Sequence, residues 1–151
     1  MTFRHVPAVG LALLSLVAEP TSAGAAANLD PKVLVTSQEA EAILGAPVTL
    51  EVHDMRAIYP GSADFAYQTK NVRVLSAVFY PQDGAEMFNS QKRNLAGMGK
   101  KVVACSAGDS CFFVGEQLNA LKGNLYFTLD APRGEEKKLE ELARKVITRL
   151  P

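Results

Sequence analysis

The spacing of hydrophobic and polar residues changes from helical to strand-like shortly after residue 45. In "VTSQEAEAILGAPV", Thr36 and Glu39 have the spacing of a capping box, and the apolar residues that follow lie on one side of a helix. Gly45 followed by Pro47 marks the end of that helix. The pattern therefore predicts a short helix with both ends defined.

Three strand-like segments come next. "PVTLEVHDM" alternates apolar and polar residues, and "DFAYQ" and "VRVLSAVFY" are rich in β-branched and aromatic residues. The turn signal Pro60-Gly61 separates the first from the second. We expect these segments to form an antiparallel meander.

The second half repeats this order. Pro81 and Asp83 introduce a helix over about residues 84–96, with Phe88 and Leu95 as core contacts. Strands are predicted at 102–104, at 111–114 and in "GNLYFTLD". The apolar residues between about 135 and 150 keep the i, i+3, i+4 spacing of a final amphipathic helix.

These elements predict an α+β fold in which a helix plus an antiparallel meander is repeated twice and a C-terminal helix packs on the sheet. We expect the helices to cover one face of the sheet.

The first 27 residues are predicted to be a secretory signal peptide. Residues 6–18 are apolar, and "EPTSAGAAAN" then supplies small residues, with cleavage after Ala25 or Ala27. The apolar run is shorter than the roughly 20 residues that a spanning helix needs. Residues 28–151 are then expected to form a single domain, exported to the periplasm or the outside of the cell without a membrane anchor.

The charge composition limits the classes of partner that the protein is expected to bind. The chain has 16 basic and 16 acidic residues, so its net charge is zero, and no basic stripe typical of nucleic-acid binding is visible. No cofactor motif is found. The sequence points away from nucleic acid and towards an envelope or extracellular protein as the partner.

The two cysteines, Cys105 and Cys111, are predicted to form a disulfide that closes a small loop. Exported thiols tend to oxidise and persist as disulfides, and Gly108 lets the chain between them turn back. A thiol–disulfide exchanger would use Cys-x-x-Cys. A structural zinc ion would need four ligands, which two cysteines and one histidine do not supply.

The tripeptide Gly108-Asp109-Ser110 resembles the nucleophile turn of a class of serine esterases. That chemistry needs a histidine beside the serine, yet no histidine follows His53 in the chain. His53 lies on the polar side of the first predicted strand. We therefore predict that the protein is not an enzyme, with a small secreted hydrolase as an alternative.

The candidate binding residues are aromatic and basic side chains on or beside the predicted strands. Aromatic residues and arginine are enriched at protein–protein hot spots. Tyr59 and Phe65 belong to this group, and the binding residues selected from it are Arg73, Tyr126 and Tyr67, with His53 added from the first strand. We expect them on the sheet face that the helices leave open. Binding of an apolar small molecule between helices and sheet is a further alternative.

Two stretches resemble a group of small exported bacterial domains of unknown function, best known as actinobacterial lipoproteins. They are "TSQEAEAILGAPV" and "SAGDSCFFVGEQLNALKGNLYFTLDA". Such domains are similar in layout to the helix-plus-sheet repeats of a secreted β-lactamase inhibitor protein, which implies an exposed sheet that can bind a protein. The chain departs from the group in lacking the lipobox cysteine and in having Phe65-Ala66-Tyr67 where relatives often have Cys-x-Tyr. The resemblance implies no catalytic residues.

Overall fold

A computed structural model describes residues 29–151, so the predicted signal peptide lies outside the described part of the chain. The helices are α1 (Pro31–Leu34), α2 (Ser37–Leu44), α3 (Gly84–Gly97) and α4 (Glu136–Arg149). The strands are β1 (Val48–His53), β2 (Ala63–Thr69), β3 (Val74–Tyr80), β4 (Val103–Ala104), β5 (Ser110–Val114), β6 (Gln117–Lys122) and β7 (Leu125–Asp130). None of the helices in residues 29–151 combines the length and the apolar character that crossing a membrane requires.

All seven strands belong to one antiparallel sheet with the order β1-β2-β3-β7-β6-β5-β4. The meander β1–β3 precedes α3, the meander β4–β7 follows it, and the two join where β3 pairs with β7. The predicted α+β class, the repeated helix-and-meander order and the C-terminal helix packed on the sheet are confirmed.

The local helix signals are also confirmed. Thr36 Oγ1 accepts from the backbone N–H of Glu39 at 3.3 Å, while the Glu39 carboxylate accepts from the backbone N–H of Thr36 at 3.0 Å. Gly45 ends α2 with φ +74°, in the left-handed region that glycine adopts without strain. In α3, Phe88 is buried and Leu95 packs beside it.

Side-chain alternation divides the sheet into two faces, and both carry helices. One face packs against α1, α2 and α4 through a core that includes Phe65, Phe79 and Phe127. The opposite face packs against α3, where Phe88 contacts the rings of Phe112 and Tyr126. The expectation that helices cover a single face is therefore wrong.

The two halves share an order of elements but not an arrangement. A symmetric pair of helix-and-meander units joined at β3 and β7 would be related by a two-fold axis perpendicular to the sheet. Such an axis keeps both leading helices on one face, whereas α2 and α3 lie on opposite faces. The second half also has four strands, because β6 forms where no strand was predicted.

Candidate functional site

The sulfur atoms of Cys105 and Cys111 lie at disulfide distance, as predicted. Cys105 directly follows β4 and Cys111 lies in β5, with their Cα atoms 5.2 Å apart. The Cys105 N–H donates to the Cys111 carbonyl at 3.3 Å. The pair therefore fastens the short edge strand β4 to its neighbour.

The Gly108-Asp109-Ser110 turn is held by structural contacts. The Asp109 carboxylate accepts from the Gly123 N–H at 2.7 Å and from Lys122 Nζ at 3.1 Å. Gly108 has φ +69°, and a Cβ at this position would lie 2.5 Å from the Leu121 carbonyl oxygen. The turn thus clamps β5 to the β6–β7 hairpin.

Ser110 and His53 lie near opposite edges of the sheet. His53 is on edge strand β1, and Ser110 begins β5, five strand positions away. At about 4.8 Å per strand, this places them about 24 Å apart across the sheet. His53, the only histidine among residues 29–151, is therefore not positioned to take a proton from Ser110.

Two of the four candidate binding residues are buried. Tyr67 is 1 % exposed and points towards the helices, where its hydroxyl donates to the Val35 carbonyl at 2.6 Å. Tyr126 is 4 % exposed beneath α3, and its hydroxyl donates to Asn119 Oδ1 at 2.7 Å. Because of this burial, the expectation that both lie on an open face is wrong. Burial raises the pKa of both phenols.

The other two candidates are accessible but separated. Arg73 lies on the β2–β3 turn, where Nη1 donates to the Leu44 carbonyl at 2.6 Å and Nη2 lies 3.4 Å from the Glu135 carboxylate. Arg73 thus connects the ends of α2 and α4. His53, with a side chain 44 % exposed, lies at the other end of β1 from the β2–β3 turn. The structure brings none of the four into a shared surface.

A different surface is formed where α3 leaves part of its sheet face uncovered. Strand register places the side chains of Glu51, His53, Asp64, Ser76, Thr128 and Asp130 on this side. We call these residues the open face. The sequence pattern of β1, with Thr49, Glu51 and His53 on its polar side, anticipated the polarity of one strand of it.

A groove of about 540 Å³ runs between the open face and α3. Tyr59 and Tyr80 meet edge-to-face in it, with ring centroids 5.2 Å apart, and Tyr80 stacks on Tyr126 at 5.5 Å. Tyr80 was missed by sequence reasoning. Its position directly after Phe79, and so on the opposite side of β3, is the signal that could have found it.

The open face and the groove are acidic. Strands β1, β2, β3 and β7 contain no lysine or arginine. The open face carries Glu51, Asp64 and Asp130, and the groove adds Asp83 and Glu86.

Two titratable groups of the open face have shifted pKa values. His53 Nδ1 lies 3.2 Å from Asp64, and this hydrogen bond raises the pKa of the imidazole, with a smaller contribution from Glu51. Burial raises the pKa of Asp130, and the nearby negative charge of Glu116 acts in the same direction. The neighbouring carboxylates thus cause the His53 shift, and burial is the main cause of the Asp130 shift.

Within residues 29–151, no group of three or more histidine, cysteine, aspartate or glutamate side chains is placed to hold a metal ion. The core between the sheet and α2 and α4 is packed with stacked rings, Phe65 on Phe79 at 5.9 Å and Phe79 on Phe127 at 5.2 Å. This packing gives no support to the alternative of an apolar-ligand carrier.

Comparison of the chain with known protein families, with curated proteins and with solved structures finds no match. The resemblance to exported actinobacterial domains thus stays a prediction from the sequence, and the candidate site rests on its own geometry.

Proposed function

We propose that this protein is an exported, non-catalytic binding module whose open face and groove take a partner rich in basic side chains. The observation that carries the proposal is a partly covered sheet face that presents five carboxylates and two tyrosine rings, with no lysine or arginine on β1, β2, β3 or β7. The signal-peptide pattern and the disulfide support export.

Charge selects the chemistry of the partner. Carboxylates on one surface create a potential that attracts cations and repels phosphate and carboxylate groups. The N-terminus of α3 adds little as an anion site, because the N–H groups of Gly84 and Ala85 already donate to Asn124. A nucleic acid or an acidic protein is therefore disfavoured on this face.

The tyrosines add a second attraction for cationic side chains. An arginine or lysine over a tyrosine ring gains about 0.5–1 kcal/mol at an exposed site. Tyr59 is exposed and Tyr80 is half-buried beside the carboxylates of Asp83 and Glu86. A basic side chain in the groove would meet a ring and a carboxylate together.

The test is an NMR titration of the ¹⁵N-labelled protein with an oligo-arginine peptide and, as its matched opposite, an oligo-glutamate peptide. We expect the arginine peptide alone to shift the amide signals of β1, β2 and the start of α3. Binding should weaken in a Tyr59→Ala/Glu86→Gln variant and stay unchanged in a Glu136→Gln/Glu141→Gln variant, which removes two carboxylates from α4 instead. Equal binding of both peptides, or shifts confined to α4, would overturn the proposal.

A further inference from the structure

The outer edge of the sheet at β1 is unpaired in the described chain. The sheet ends with β1 on one side and β4 on the other, so each has one edge without a neighbouring strand. Strand β4 has only two residues, whereas β1 has six and pairs with β2 in continuous register. The β1 edge therefore offers a full row of backbone donors and acceptors.

This edge lacks most of the features by which proteins protect a free strand. Such features include charged side chains, above all lysine, as well as proline, a bulge and very short length. Strand β1 contains no lysine or proline and pairs with β2 without a bulge, and Glu51 is its one acidic residue. Val52 is 58 % exposed. A long edge with so little protection is a site for pairing with another strand.

We propose that the occupant of this edge is β1 of a second copy of the same chain, paired antiparallel about a two-fold axis at Leu50. In that register Leu50 faces Leu50 of the second copy, and Val48 faces Val52. These residues all lie on the face that carries α2 and α4, where Val48 and Leu50 already pack against the core. On the other side Thr49 faces Glu51.

Neighbouring registers fit less well. Moving the axis to Glu51 places two glutamates directly opposite each other, which is unfavourable across a strand pair. Moving it to Val52 places Leu50 opposite Asp54. Moving it to Thr49 pairs only residues 48–50 within the strand. The register about Leu50 pairs residues 48–52, matches apolar with apolar residues and has no like charges face to face.

Two-fold pairing also closes the assembly. An isologous contact uses the same surface on both copies and leaves no second copy of that surface for growth. The far edge, β4, is too short to continue the sheet. Since the axis is perpendicular to the sheet, the open faces of the two copies lie next to each other on one surface of the joined sheet. The inference does not depend on the proposed function, because the dimer forms without a partner.

The test uses protein expressed from the complete 151-residue sequence and analysed by sedimentation velocity over a concentration series. We expect a monomer–dimer equilibrium. Thr49→Glu introduces two symmetry-related repulsions with Glu51 and should raise the dimer dissociation constant about tenfold. Thr49→Lys should strengthen the dimer, and Thr49→Glu/Glu51→Lys should restore it.

Thr148→Glu makes the same chemical change at an exposed position on α4 and should leave the dissociation constant unchanged. Thermal unfolding of each variant verifies that it is folded. We expect each to fold because the substituted positions are exposed. A monomer at every concentration, or equal effects of Thr49→Glu and Thr49→Lys, would exclude the β1 dimer. A monomer whose β1 amides are nonetheless protected from hydrogen exchange would show that another segment of the chain covers the edge, and would also overturn the inference.

Discussion

Replacing Glu39 by glutamine removes a charge that joins three helices while it keeps the hydrogen-bonding shape of the capping box. The Glu39 carboxylate accepts from both Arg149 Nη1 and Nη2 at 2.7 Å, and from the Thr36 N–H at 3.0 Å. Arg149 Nη1 also donates to the Leu34 carbonyl at the end of α1. Glutamine at this position can still accept from Thr36, since the capping box tolerates it.

The pKa of Glu39 gives the size of the stability that its charge contributes. The Arg149 hydrogen bonds, against the opposing effect of burial and with help from Thr36, lower this pKa from its ordinary value of 4.5 to about 2. Each tenfold change in acidity corresponds to about 1.4 kcal/mol, so the shift corresponds to about 3 kcal/mol of folding free energy. Because the folded pKa is the lower one, this stability is fully present above pH 4.5 and is lost as pH falls through 2.

The assay is urea unfolding followed by circular dichroism at a series of pH values from 7 down to 2. We expect Glu39→Gln to lower the free energy of unfolding by about 3 kcal/mol at neutral pH. The difference from the unmodified protein should shrink towards zero near pH 2. Glu41→Gln removes a carboxylate from the same helix and serves as the matched control. A difference that stays constant over the whole pH range would refute the electrostatic reasoning and assign the effect to packing.

Three further changes test other contacts by the same urea assay. Cys105→Ser/Cys111→Ser should cost about 2 kcal/mol by the chain-entropy argument for a small loop, and added reductant should then have no further effect. Gly84→Ala should destabilise by about 1–3 kcal/mol, because its Cβ would lie 2.2 Å from the Asn124 carbonyl oxygen and force α3 away from β7. Tyr67→Phe should cost about 1–3 kcal/mol by leaving the Val35 carbonyl without its donor, and an unchanged midpoint would show that water replaces the hydroxyl.

The elements that could be predicted from the sequence have local signals. The capping box, the glycine that ends α2 and the spacing in α4 each lie within one or two helical turns, so a single chain shows them directly. The disulfide belongs to the same class, since the partners are six residues apart. Strand β6 lacks such a signal: Asn119 and Ala120 have low strand propensity, and pairing with β5 and β7 on both sides holds them in place.

The predicted exposure of Tyr67 and Tyr126 was wrong because the alternation of side chains does not contain the information needed to predict it. Alternation separates Tyr67 and Tyr126 onto opposite faces but does not say which face is covered, or where. Tyr67 lies under α2, and Tyr126 lies under α3, so both are buried in different cores. The position of α3 depends on long-range contacts such as the close approach of Gly84 to the β6–β7 turn, and these contacts have no sequence period.

The size of the elements nevertheless explains why an open face exists. Seven strands spaced about 4.8 Å apart make a sheet about 29 Å wide, whereas a helix with its side chains is about 10 Å across. The face that carries α2 and α4 is closed by two helices with α1 beside them, whereas among residues 29–151 only α3 covers the other face. One helix of that width leaves about two-thirds of that face in water, so the strands that it does not cover have to be polar on that side. This requirement is met by the glutamate and histidine of β1 and by the aspartates of β2 and β7. The requirement for polarity does not explain why the same strands contain no lysine or arginine. Solvation alone would accept either sign of charge, and for that reason the excess of carboxylates on the open face supports the proposal of a basic partner.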